Sequence, residues 1–101
     1  MLSIKAASQG YAAVGSESRL AVLLLLVEAG EDGLTIGEIG NQLGIAASTL
    51  AHHLRYLLSA RMIVQEKQGR EVRNTANYAY LEDLGNYLLS ECCKNIKDKA
   101  K

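Results

Sequence analysis

The stretch from Thr35 to Arg73 limits the possible folds of this chain more than any other segment. It holds two amphipathic helix patterns separated by a short turn, followed by two β-prone runs on either side of a glycine. Thr35 and Glu38 have the spacing of a capping box, which begins a short helix, and Gly44 is placed to end it. The pattern predicts a helix-turn-helix followed by a β-hairpin, here called the wing.

The rest of the chain reads as helix. Its 101 residues are enough for one domain, and the absence of Phe, Trp and Pro leaves Leu, Ile, Val and Ala to form a core, which favours uninterrupted helices. The predicted fold is mainly α with a small β-hairpin, a winged helix-turn-helix occupying residues 1–101. The bounds are about 35–60 for the helix-turn-helix, about 62–76 for the wing, and about 4–14 and 77–94 for two terminal dimerisation helices.

Two helices carry more apolar surface than one small domain needs. The helix that begins after Ser16 is apolar nearly all round, as a central buried helix would be. The last helix has a broad apolar face with nothing left in the chain to cover it, so a homodimer is predicted. That face consists of Leu81, Leu84, Leu88 and Leu89.

The second helix of the helix-turn-helix has two distinct faces. Leu50, Leu54, Leu57 and Leu58 form its predicted apolar face, and Ser48, His52, Arg55 and Ser59 form an opposite polar row. Adjacent helix positions do not share a face, so His52 and His53 are not a metal-binding pair. We expect His53 to pack within the protein and His52 to face DNA or solvent.

Charge is unevenly distributed although the net charge is zero. Residues 17–43 have a balance of −4, whereas residues 46–75, which include the second helix and the wing, have a balance of +3. A local basic excess favours phosphate contacts, so double-stranded DNA is the expected partner. The predicted contacts are Ser48, Thr49, His52 and Arg55 in the major groove, and Lys67, Arg70 and Arg73 on the backbone or minor groove.

Cys92 and Cys93 are the only cysteines. Two adjacent cysteines are not a disulfide framework, and on spacing alone they are either small buried apolar residues or a pair of ligating thiols. The first residues lack the apolar stretch of a signal peptide, and the run from Leu20 to Val27 is too short to span a bilayer. A cytoplasmic protein with no membrane partner is therefore expected.

Several segments together resemble the ArsR/SmtB family of bacterial metalloregulatory repressors. They lie between Val14 and Cys93 and read SESRLAVLLLLVEAG, GLTIGEIGNQLGI, STLAHHLRYLLSARMIV, QGREV and LEDLGNYLLSECC. The resemblance implies a winged-helix repressor that leaves its operator when an inducer binds, and a homodimer joined through its first and last helices. The chain departs from the family's recognition-helix pattern at Ala51, where a hydroxyl residue is common.

Other departures bear on the inducer. The stretch GLTIGEI lacks the paired cysteines that many members carry there, and the last helix lacks the histidine of zinc-type members. The ending ECC resembles the arsenic-responsive branch, although the third cysteine common in that branch is missing. The resemblance therefore implies that Cys92 and Cys93 bind trivalent arsenic, with no cofactor required.

The chemistry of the two thiols leaves the form of the metal open. Arsenite prefers three sulfurs, so two thiolates suit an organoarsenical such as methylarsenite at least as well. If the thiol pairs of two chains met, four thiolates could instead bind one zinc, cadmium or lead ion.

Two other functions remain open on the sequence. The same thiols could make the chain a redox- or sulfide-responsive repressor. A winged-helix module that binds protein rather than DNA is the alternative from another class. No enzyme is expected, because the sequence shows no nucleophile–base pair, carboxylate pair or open metal site.

Overall fold

The computed structural model describes residues 2–92. Within them the chain is mainly helical with one two-stranded antiparallel sheet, which confirms the predicted fold class. In chain order the elements are α1 (Ile4–Val14), α2 (Glu17–Ala29), a short 3-10 turn (Gly30–Asp32), α3 (Ile36–Leu43), α4 (Ala47–Ser59), β1 (Ile63–Gln68), β2 (Glu71–Ala76) and α5 (Tyr78–Cys92).

Local side-chain chemistry sets where the helices begin. The hydroxyl of Ser16 accepts a hydrogen bond from the backbone N–H of Arg19 and caps α2. Thr35 and Glu38 form the predicted capping box at the start of α3. Gly44 ends α3 in the left-handed conformation, with a φ of 68°. These three predictions from the sequence are confirmed.

One core joins all the helices and the base of the hairpin. Its fully buried large apolar side chains come from α2, α3, α4, the start of β1 and the link just before it. They are Val22, Leu26, Ile39, Leu50, Leu57, Met62 and Ile63. Against this core α1 and α5 meet closely, since a Cβ on Gly10 would lie only 3.0 Å from Leu84 Cδ2. The glycine therefore lets the two terminal helices approach each other.

The apolar faces differ from the prediction at several positions. Helix α2 buries one face only, and Leu20, Leu24 and Val27 are 40%, 56% and 37% exposed. Leu58 was expected to face inward on α4, but it is 38% exposed because Leu50, Leu54 and Leu57 define the buried stripe. Ile4 of α1, for which no buried position was predicted, is also exposed.

The wing is pinned at its base. β1 pairs with β2 in an antiparallel register that places Gln65 opposite Asn74 and Gln68 opposite Glu71. The turn between the strands is Gly69-Arg70, and Gly69 has a φ of 65°, as a two-residue hairpin loop with glycine first requires. A backbone bridge between Leu34 and Asn74 ties β2 to the segment before α3.

Within the described residues, only one bent pair of helices has the length and apolar composition that a membrane span needs. No single helix in residues 2–92 is both long and apolar enough to cross a bilayer, and only α1 together with the stretch Glu17–Asp32, bent by 96°, meets the requirement.

Candidate nucleic-acid interface and thiol site

Helix α4 is seated by its apolar stripe, and this orients its opposite face. Leu50, Leu54 and Leu57 are buried, so the positions between them on the far side of the helix face solvent. Ser48, Thr49, His52 and Arg55 are all exposed there. Ser59 is also exposed, but its hydroxyl donates a hydrogen bond to the carbonyl oxygen of Tyr56 (3.2 Å). The first three turns of α4 thus present hydrogen-bonding groups of the kinds that read base edges.

The two histidines of α4 lie on different sides of the helix. His52 is exposed, whereas His53 is partly buried, and its Nδ1 is enclosed with no hydrogen-bond partner among the described residues. Their ring centroids are 6.3 Å apart and the rings are tilted by 53°. This packing agrees with the expectation that His53 is a packing residue and His52 faces outward.

The wing presents two cations beside α4. Lys67 and Arg70 are exposed near the tip of the hairpin, and neither forms an ion pair within residues 2–92. Arg55 of α4 also lacks an ion pair within that part of the chain. These three cations are therefore available to an anionic partner.

Arg73 differs from the other predicted contacts because it has partners within the chain. Its guanidinium lies 3.4 Å from Glu38 Oε1 and 3.6 Å from Glu71 Oε1, and it donates to the carbonyl oxygen of Gly33 (3.3 Å). It connects the wing to the start of α3. Contact between Arg73 and DNA stays a prediction, and the structure gives this residue a role in holding the wing.

One carboxylate, that of Glu38, contacts both the start of α3 and the wing. The backbone N–H of Thr35 donates to Glu38 Oε1 (2.9 Å), and this bond is the main reason why the pKa of Glu38 is lowered. The positive charge of Arg73 lowers that pKa further, against a partial desolvation that raises it. Ionised Glu38 therefore supports both the first turn of α3 and the placement of the wing.

Two positioning groups were not predicted from the sequence. Asn74 is 1% exposed, and its side chain donates to the carbonyl oxygen of Leu34 (3.1 Å) and accepts from Gln65 Nε2 (2.8 Å). An asparagine at an inward strand position was a signal that could have been noticed, since such a residue needs buried hydrogen-bond partners.

The second is Arg19 of α2. Its guanidinium carbon lies 4.0 Å from the ring centroid of Tyr56 on α4, and its Nε donates to the carbonyl oxygen of Ala13 on α1 (2.6 Å). This contact joins residues far apart in the chain, and no sequence pattern indicated it.

The predicted inducer site is described only in part. Cys92 is exposed on the last described turn of α5, with its Sγ 3.6 Å from the carbonyl oxygen of Leu89. Cys93 lies outside the described residues. Among residues 2–92 no three His, Cys, Asp or Glu side chains are grouped so that they could hold a metal ion.

Comparison with known proteins places the helix-turn-helix in a family. The sequence model described as "Helix-turn-helix domain" matches residues 14–66, which is more than half of the chain and includes α2, α3 and α4. The chain belongs to this helix-turn-helix domain family. No curated protein matches the sequence.

Solved structures with the same fold are regulators by title. An ArsR-like transcriptional regulator from Rhodococcus sp. RHA1 has a TM-score of 0.79 at 23% identity, covering 89% of this chain and 82% of that one. A second ArsR family transcriptional regulator has a TM-score of 0.78 at 18% identity, covering 97% and 98%. A third structure, titled a possible transcriptional regulator for arsenical resistance, has a TM-score of 0.70 at 21% identity, covering 92% and 98%.

These likenesses establish the ArsR-type winged-helix fold for this helix-turn-helix family member. The family match ends at residue 66, within β1, so it contains the polar side of α4 but not β2 or α5. The family match therefore gives no support for the predicted roles of the wing cations or of Cys92. Those roles are inferred from this chain's own sequence and geometry.

Proposed function

We propose that this protein is a homodimeric transcriptional repressor that binds operator DNA through α4 and the wing. The observation that carries the proposal is the exposed row Ser48, His52 and Arg55 on α4 beside Lys67 and Arg70, which have no anionic partner in the described chain. A helix of this kind enters the major groove while a wing reaches the neighbouring backbone or minor groove. The ArsR titles of the structural neighbours support the same function.

A second copy of the chain would complete the DNA-binding unit. Ile4 of α1 and Leu88 and Leu89 of α5 are 76%, 53% and 60% exposed, although all three are large and apolar. A partner that covers them would remove this surface from water and set the distance between two recognition helices. Half-sites about 34–36 Å apart on the DNA would then be read together.

We further propose that Cys92 and Cys93 bind trivalent arsenic and thereby release the DNA. Thiolates are soft ligands that select thiophilic ions, Cys92 is exposed, and one structural neighbour is titled a possible regulator for arsenical resistance. Two thiolates satisfy a monosubstituted organoarsenical fully, whereas arsenite would need a third ligand. Methylarsenite is therefore the expected stronger inducer.

The position of the thiols suggests how binding reaches the DNA. Consecutive residues of an α-helix point about 100° apart, so Cys92, the last residue of α5, could share one arsenic atom with Cys93 only where the backbone departs from α-helical geometry. Leu88 and Leu89, which we assign to the dimer contact, lie within one turn of Cys92. Rearrangement there changes how the two copies sit together and hence the separation of their recognition helices.

DNA binding is tested by fluorescence anisotropy of labelled DNA from the promoter of the protein's own gene, measured over a range of salt concentrations. Arg70→Ala should weaken binding to all sequences similarly and lower the slope of log affinity against log salt by about one. Arg61→Ala is the matched control, because Arg61 is an exposed arginine outside the proposed interface. Salt-independent binding, or none, would instead favour a protein-interaction module.

Inducer binding is tested on the same complex. Arsenite and methylarsenite are titrated against the native protein and against Cys92→Ser/Cys93→Ser. Release by either compound that is lost in the double variant supports the arsenic site. Release by mild oxidant alone, with disulfide-linked species on non-reducing electrophoresis, would favour the redox-responsive alternative, and DNA that stays bound under all three treatments would exclude a thiol-gated repressor.

A further inference from the structure

A groove of about 600 Å³ lies between α4 and the inner face of the wing. Its third wall is the start of α3, with Thr35 and Ile36. This volume falls in the range of sites that hold small organic molecules. The groove is separate from Cys92, since its described lining comes from α3, α4 and the wing and includes no residue of α5.

The lining of the groove includes exposed apolar side chains beside its polar ones. Ile36, Leu58 and Val72 are 37%, 38% and 41% exposed, and they come from three different elements yet line one groove. Ala51 and Leu54 add further apolar surface. Clustered exposed apolar side chains mark binding sites, and phosphate contacts do not use them. The proposed function therefore leaves this lining unexplained.

Two arginine side chains make the groove positively charged. Arg55 of α4 and Arg70 of the wing both line it, and neither forms an ion pair within residues 2–92. Among the described residues that line it, Glu71 is the only acidic one, and Arg73 lies 3.6 Å from its carboxylate. The groove thus combines an apolar wall with an uncompensated positive charge, which is complementary to an amphipathic anion.

We propose that this groove binds a small amphipathic organic anion of the carboxylic acid class. Its apolar body packs against Ile36, Leu58 and Val72, and its acid group contacts Arg55 and Arg70. Both arginines are also assigned to DNA, so the anion and the operator exclude each other. A second ligand, in addition to one bound by the thiols, would then regulate DNA binding. The binding site stands on the groove alone, and only the competition with DNA rests on the proposed function.

Binding is tested without DNA, using the full-length ¹⁵N-labelled protein and decanoate as the probe. Amide shifts should concentrate on α4, the start of α3 and the wing. Decanol and decyltrimethylammonium, which share the alkyl chain, should bind at least about tenfold more weakly because they lack the charge-assisted contacts. Shifts spread over α1 and α5, or equal affinity for all three probes, would overturn the proposal.

Two variants separate the apolar from the charged contact. Leu58→Ser should weaken decanoate about tenfold, whereas Leu24→Ser, a matched change at an exposed leucine of α2, should leave it unchanged. Arg70→Gln, at a wing residue with no ion-pair partner in the described chain, should weaken decanoate but not decanol. Equal losses in Leu58→Ser and Leu24→Ser would indicate non-specific apolar binding and overturn the site.

Competition is measured last, by adding decanoate to the labelled operator complex. Release over the concentration range of groove binding supports regulation by this second ligand. Decanoate that occupies the groove while DNA remains bound would overturn the competition and leave the groove site standing. A protein that binds decanoate in the groove but never binds operator DNA would support the site and contradict the proposed function.

Discussion

Asn74 shows how much one buried polar side chain can decide at the base of the wing. It is the only fully buried polar residue in the described chain, and its amide joins Leu34 and Gln65 while its backbone bridges to Leu34. Asn74→Ala should lower the free energy of unfolding by about 1–3 kcal/mol, because it removes two side-chain hydrogen bonds made by a buried amide. Urea denaturation measures this, and Asn86→Ala, at an exposed site on α5, is the control. A loss no larger than in the control would show that water replaces the amide.

The backbone of Arg61 is strained, so a substitution that relieves this strain should stabilise the protein. Arg61 follows the end of α4 with a φ of 68°, and the N–H groups of Arg61 and Met62 bond to the carbonyl oxygens of Leu58 and Leu57. This is a Schellman ending with a non-glycine residue at the left-handed position. Arg61→Gly should raise the free energy of unfolding by about 1 kcal/mol, since glycine adopts that φ without steric cost. Arg61→Ala removes the same side chain but keeps the strain, so it should not stabilise the protein.

Glu38 makes stability depend on pH at one residue. Its pKa is lowered in the folded chain, mainly by the Thr35 N–H and also by Arg73. A depressed folded pKa contributes stability above the unfolded pKa near 4.5, and that contribution is lost as the pH falls through the folded value. The difference in unfolding free energy between the native protein and Glu38→Gln should therefore be constant above about pH 5 and shrink as the pH falls below 4.5 through the lowered folded pKa. A difference that stays constant from pH 7 to pH 3 would contradict this assignment.

Among the elements, Arg19 links three helices through one side chain. It belongs to α2, it bonds to the carbonyl oxygens of Ala12 and Ala13 at the end of α1, and it lies over the ring of Tyr56 on α4. Arg19→Gln should lower the free energy of unfolding by about 1–2 kcal/mol and weaken operator binding, because α4 loses its contact with α2 and α2 loses hydrogen bonds to the end of α1.

The tyrosine provides the controls for this contact. Tyr56→Phe keeps the ring and should behave like the native protein, whereas Tyr56→Leu should reproduce part of the loss. Chemical denaturation and DNA anisotropy on the same samples distinguish the two effects. If Tyr56→Phe were as damaging as Arg19→Gln, the hydroxyl rather than the ring would be the important group.

The elements themselves were largely predictable from the sequence, because their ends are set by local chemistry. Ser16, the Thr35–Glu38 capping box and Gly44 act over three or four residues, so they can be read from spacing alone. The inward face of α2 could not be read this way. In a helix that is apolar on every side, periodicity does not tell which residues face the core, and Leu24 is the most exposed of its leucines.

The candidate site also has parts that could be predicted from the sequence and parts that could not. Exposure of Ser48, His52 and Arg55 followed from the buried stripe of α4, whereas the partners of Arg73 depend on a contact between β2 and α3 that spans 35 residues. The groove beside Leu58 depends on how the wing leans toward α4. Such long-range contacts arise from packing, and nothing in local spacing encodes them.

For the whole molecule, the exposed apolar surface of the terminal helices predicts self-association. Leu88→Glu should shift the protein from dimer to monomer and weaken operator binding, since a charge placed in an apolar contact is costly to desolvate. Sedimentation equilibrium measures the first effect and anisotropy the second. Leu24→Glu is the matched control, because Leu24 is 56% exposed on α2, outside both the terminal helices and the wing. A monomeric native protein, or equal effects of the two variants, would place the dimer contact elsewhere.

The anchoring of the wing at Asn74 also determines how its length can change during evolution. Side chains alternate between faces along β2, with Asn74 fixed inward at the base. One residue added to each strand near the Gly69-Arg70 turn would lengthen the arm and preserve every existing pairing. One residue added to β2 alone would form a bulge or reverse the face of each residue between it and the tip. Natural variation in wing length should therefore accumulate in pairs, and its reach along DNA should grow in steps of about 3.4 Å.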